Sequence, residues 1–190
     1  MINKHLRILL IGASVWYLGE GMLGPLFAVF SEQIGGSVLD ITWAWATYLV
    51  VTGIMNIVVG KLSDGYAQKA NIMVYGYIFN ALFTFAYLLV RTPTELFLVQ
   101  AGLGMASALA TPTWSALYAR YEDRKAAGYE WGLATGQAAI INGVAVVIGG
   151  LLVTYVSFTA LFVTMGCVQT LAALVQSRIL TQKPGRKSAA

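Results

Sequence analysis

The chain has 190 residues, 58% of them hydrophobic and 11% charged, with a mean hydropathy of +0.71. Soluble domains carry about 25% charged residues and keep much of a small fold's surface in water, so a soluble enzyme or signalling domain of this composition is excluded. The formal charge of +4 does not point to nucleic acid, because lysine and arginine are scattered between apolar blocks, and the lone Cys167 and His5 exclude an internal disulfide and a Cys- or His-ligated metal.

An α-helix needs about 20 mostly apolar residues to cross about 30 Å of hydrocarbon, and six such blocks follow in order. The first covers about 8–30 and holds one charge, Glu20. The second, about 41–60, stops at Lys61 and Asp64. The third, about 71–90, stops at Arg91, and the fourth, about 96–118, stops at Arg120. The uncharged run 131–177 is too long for one span and too short for three. Dividing it near Thr154-Tyr155-Val156-Ser157 gives spans at about 131–153 and 158–180. An all-α membrane domain over 1–180 with a basic tail over 181–190 is therefore predicted. The stretch 144–153 is apolar throughout, without the alternation of a membrane β-strand. The first block is too long and too acidic for a cleaved signal peptide and is expected to be a retained helix.

Lys4, Arg7, Lys61, Lys69, Arg120, Arg124, Lys125, Arg178, Lys183, Arg186 and Lys187 all fall on one side of these spans, and Arg91 alone on the other. By the positive-inside rule the protein is expected in the cell (inner) membrane, multi-pass, with both termini cytoplasmic. The mixed-charge segment 121–130 reads as a solvated loop between two groups of three helices. The tail is expected to be disordered and drawn to anionic headgroups by about 1 kcal/mol per basic residue. Trp43 and Trp131, near span ends, suit interfacial anchoring.

Glu20 is the most informative residue, because a carboxyl at mid-depth costs about 2.5–3.5 kcal/mol on insertion scales and normally faces a cavity or a partner. Trp16, Glu20, Gly24 and Phe27 recur at helical spacing on one face, which would surround a solute with an aromatic wall and a titratable group. Its alternative role is that of a neutral hydrogen-bonding fastener between helices. Asn56, Asn80, Gln100, Asn142 and Gln169 are further polar residues at depth, most of them expected to fasten helices. Gly132, Gly136, Gly143, Gly149 and Gly150 give the fifth helix a close-packing surface. Pro25 and Pro112 stand at similar depths in the first and fourth helices, with Glu20 and Ser107 five residues before them. This echo suggests a 3+3 inverted repeat with matching interrupted helices.

Between the second and third spans stands Gly60-Lys61-Leu62-Ser63-Asp64-Gly65-Tyr66-Ala67-Gln68-Lys69. It resembles the loop signature G-x-L-[S/A]-D-[R/K]-x-G-[R/K]-[R/K] of the major facilitator superfamily, matching at Gly60, Leu62, Ser63, Asp64 and Lys69. Gly24-Pro25 and Gly35-Gly36-Ser37 are similar to that family's opening, Gly102 and Gly104 to the glycine pair of its fourth helix, and Gly149-Gly150 to the end of its antiporter signature. Leu98 replaces an arginine found in some members, and Ala145-Val146 replaces the antiporter Gly-Pro. The family has two six-helix halves about an axis along the membrane normal, so the resemblance implies half of that fold. It implies a C2 homodimer of half-transporters, the second helix of one copy packing on the glycines of the fifth in the other. The first and fourth helices would line a central cavity, with Gln100 and Asn142 as further cavity candidates. Gly60, Asp64 and Lys69 would form a conformational gate, with Asp64 at the N-terminus of the partner's fifth helix.

The function expected is alternating-access transport of a small solute, as symport or antiport, with protons taken up by Glu20. The partners are a second copy, a small-molecule solute and the lipid bilayer, with neither nucleic acid nor cofactor. The alternatives are a non-transporting scaffold or accessory subunit and a truncated half of a twelve-helix transporter. A membrane enzyme is not expected, since an intramembrane serine protease needs a histidine at depth.

Overall fold

The computed structural model describes residues 3–63 and 66–182, so Asp64 and the basic residues of the tail lie outside the described residues. The helix expected over about 8–30 is in fact two, α1 (Lys4–Gly21) and α2 (Leu26–Gln33), meeting at 45°. Pro25 has no N–H to close a turn and disfavours helical geometry at Gly24, so the chain breaks there. Gly35, at φ 82°, then turns the backbone where a side chain would be strained. α3 (Val38–Leu62) starts in a capping box: Asp40 N–H donates to Ser37 Oγ at 3.2 Å, and Ser37 N–H to Asp40 Oδ2 at 2.8 Å. α4 (Tyr66–Ala86) ends in a 3₁₀ turn at Tyr87–Leu89.

α5 (Pro93–Tyr121) opens in a second box, Thr92 with Glu95, and runs unbroken through Pro112. The Thr113 hydroxyl donates to the carbonyls of Leu109 and Ala110 one turn before it, at 2.5 and 2.9 Å. Matching interrupted helices are therefore not found: Pro25 breaks its span and Pro112 does not. α6 (Ala127–Tyr155) begins inside the segment read as a solvated loop. Glu130 is buried there, and its carboxylate accepts from Asp123 N–H at 2.9 Å to close the short connector. Trp131 packs inward, its ring 4.7 Å from Tyr118, whereas Trp43 is exposed. α7 (Phe158–Ser177) follows a turn at Val156–Ser157, where Ser157 Oγ accepts from Ala160 N–H at 3.1 Å.

The helices pack in series: α5 lies between α3 and α4, α4 packs on α7, α7 on α1, and α1 on α6. α3 and α6 are the outer members: among the described residues α3 buries Ala44 and Val59, and α6 buries Glu130, Ala145 and Gly149. Two apolar clusters fill the interior. One gathers Leu23, Phe30, Tyr87, Leu103 and Met165; the other gathers Leu9, Trp16, Tyr77, Ala110 and Ala172. On each of α1, α4, α5 and α7 the step from one cluster to the other crosses a polar residue: Glu20, Asn80, Ser107 and Gln169. A polar band thus cuts the bundle at mid-depth.

Candidate functional site

Glu20 sits one residue before the end of α1, where the break at 22–25 leaves it beside α3 and α5. The Trp16 indole N–H, one turn earlier, donates to Glu20 Oε2. The Tyr48 hydroxyl of α3 stands 3.4 Å from Glu20 Oε1 and 3.4 Å from Ser107 Oγ of α5, and Ser107 stands 3.5 Å from Thr111 Oγ1. A chain of three hydroxyls therefore leads to the carboxyl.

Beside the carboxyl lies a cavity of about 90 Å³. Its polar lining is Glu20, Tyr48, Asn80, Thr84, Gln100 and Gln169, and Phe27, Trp45, Tyr87 and Met165 supply apolar and aromatic walls. Asn80, Gln100 and Gln169 are only 3%, 2% and 1% exposed, whereas Trp45, 50% exposed, forms the outer lip. Gln169 Nε2 donates to the Trp16 carbonyl at 3.1 Å, and its Oε1 is buried without a partner. A second cavity, of about 50 Å³, lies toward the start of α1 and is lined by Trp16, Tyr17, Tyr77, Thr111 and Trp114. Trp16 meets Tyr77 edge to face, at 4.5 Å between centroids. With Thr111 at the second cavity and Tyr48 at the first, the hydroxyl chain joins the two.

Of the residues the sequence nominated for solute binding, Glu20, Gly24, Phe27 and Gln100 share the first cavity. Trp16 belongs to the second and reaches the first through its bond to Glu20. Asn142 is not among its lining residues; it lies on α6 against Gly21, where an added Cβ would come within 2.6 Å of its Oδ1. Asn80 and Gln169, read as fasteners, line the cavity, and Gln169 fastens as well. Tyr48 and Trp45 were not nominated. The signal available for Tyr48 was a phenol at mid-depth of its span, beside Thr47 and Thr52.

The other nominated groups divide. Gly132, Gly136, Gly143 and Gly150 have open space where a Cβ would stand, whereas Gly149 is used within the chain: a Cβ there would fall 2.0 Å from the Met22 carbonyl oxygen. Gly60 lies in the last turn of α3 with open space where a Cβ would stand, its carbonyl accepting from Ser63 Oγ at 3.2 Å, and Lys69 lies in the first turn of α4. Asp64, between them, is outside the described residues.

Five helices are long and apolar enough to cross a membrane, or six when α1 and α2 count as one bent span. Among the described residues, an all-helical bundle with several apolar spans around a polar pocket defines the class, a multi-pass membrane protein. The chain belongs to the Major Facilitator Superfamily, whose family model matches residues 9–190. It is also 26% identical, over 174 residues, to an uncharacterized MFS-type transporter of Methanocaldococcus jannaschii, a match covering 92% of this chain and 45% of that protein. The chain thus spans about half the length of that relative.

Proposed function

We propose that the chain is one half of a secondary active transporter, carrying a small solute by alternating access and coupled to protons through Glu20. The observation that carries this reading is the cavity at mid-depth, where a carboxyl, three amides and aromatic walls converge inside a bundle of this superfamily. Glu20 is the proton acceptor there, since the tyrosines within its electrostatic reach, Tyr17, Tyr48, Tyr77 and Tyr87, ordinarily ionise only near pH 10. Packing order supports a 3+3 arrangement: the first span packs on the fifth and sixth as the fourth packs on the second and third. The excess of lysine and arginine on one side supports cytoplasmic termini in a cell membrane.

The second half of the pathway is supplied by another six-helix unit seated on α3 and α6. In the homodimer this is a second copy, with the open positions Gly132, Gly136, Gly143 and Gly150 at the interface and Asp64 gating against the partner's α6. The length of the M. jannaschii relative favours a second reading, in which six further helices of one polypeptide take that place.

The test is reconstitution in proteoliposomes with a pH dye inside and a panel of small solutes outside. Solute-triggered proton movement is expected, and its absence across the panel would remove the transport reading. In a Cys167→Ser background, single cysteines at Ile54 on α3 and Val147 on α6, both exposed, should crosslink between copies in native membranes. A particle that keeps a single 20.4 kDa chain in lipid nanodiscs would exclude the homodimer.

A further inference from the structure

Resting on the reading of this cavity as the transport site, we propose that it is a binding site, its acceptors all held within one copy of the chain, for a compact organic cation with N–H donors, of the guanidinium type.

The cavity is rich in unanswered acceptors. Glu20 brings a carboxylate, which has up to about four lone-pair positions, and Trp16 and Tyr48 approach one oxygen each. Gln169 Oε1 is buried without a partner while the amide's nitrogen donates to the Trp16 carbonyl. Exchanging the two ends of that amide would set two oxygens face to face, so the unpaired atom is the acceptor. No lysine, arginine or histidine lines the cavity among the described residues. The groups facing Glu20 are the Trp16 indole and phenols on α1, α3, α4 and the 3₁₀ turn after it, with Gln169 of α7 across the cavity. A planar cation with a fork of N–H donors meets such an acceptor set with geometric fit as well as charge.

The walls favour the same ligand. Phe27, Trp45 and Tyr48 form a continuous aromatic surface, with centroids 5.9 and 5.5 Å apart in sequence, and aromatic faces attract cations most strongly where water is excluded. The volume of about 90 Å³, beside the roughly 150 Å³ of a cavity that takes benzene, suits a compact ligand such as guanidinium. The lining comes from α1 to α5 and α7, with none from α6, so one copy presents every acceptor that the fork of donors would meet.

The test is titration calorimetry on the full-length chain in nanodiscs, with guanidinium, its neutral isostere urea, and tetramethylammonium, which has the charge but no N–H. Saturable guanidinium binding at one per chain is expected, with urea and tetramethylammonium each at least about tenfold weaker. Glu20→Gln should abolish it, and Trp45→Leu, at the half-exposed lip, should weaken it severalfold while leaving the helical circular dichroism unchanged. Proton flux with other solutes but no guanidinium binding would overturn the cation site and leave the transport reading standing. Guanidinium binding without any solute-driven proton flux would do the reverse. Urea binding as tightly as guanidinium, or one ligand per two chains, would overturn the inference on wild-type protein alone.

Discussion

Replacing Glu20 by glutamine is expected to lower solute-driven proton flux in proteoliposomes by at least about tenfold, and to leave what remains insensitive to pH across roughly pH 6–8. A hydrogen bond to a charged group contributes about 1.5–3 kcal/mol, and about 1.4 kcal/mol is a factor of ten. The pH term follows from isolation, because the other ionisable groups around the carboxyl are phenols on α1, α3 and α4, which hold their protons through that range. Glutamine keeps the shape and one acceptor oxygen for Trp16 or Tyr48, so the variant should fold and insert. Flux that keeps its wild-type pH profile in Glu20→Gln would move proton coupling to another residue.

Gly149→Ala is expected to destabilise the bundle by about 1–3 kcal/mol, the usual cost of forcing extra volume into a packed contact. The new Cβ would stand 2.0 Å from the Met22 carbonyl oxygen, which is backbone and cannot swing aside. α6 must then lift from the bend between α1 and α2, two residues from Glu20. At roughly 2–4 °C per kcal/mol for a chain of this size, thermal unfolding in nanodiscs should fall by several degrees. Gly143→Ala, on the open side of the same helix, is the matched control and should stay within about 0.5 kcal/mol of wild type. Equal melting temperatures for the two variants would mean that α6 does not press on the bend.

The two glycines illustrate how far one dimension reaches. Both lie in one small-residue run, and composition identifies that run as a surface for close approach. Which glycine meets a carbonyl and which meets open space depends on how α6 rolls against α1, a relation between residues more than 120 positions apart. The prolines teach the same lesson: Pro25 and Pro112 look equivalent by depth, yet α1 ends and α5 continues.

By itself the sequence determined that this chain lives in a bilayer, crosses it as helices and belongs with the superfamily of its loop motif, because the requirement to satisfy backbone polar groups in hydrocarbon acts on each segment alone. It also singled out Glu20, whose cost at mid-depth is local. The tertiary structure alone decided the company that carboxyl keeps. Tyr48, Asn80, Ser107 and Gln169 come from four other helices, and each is an ordinary polar residue until packing places it beside the others. Neutral side chains carry little insertion penalty, so single-span arithmetic cannot tell a fastener from a cavity wall; only the register of the six helices around the first cavity does.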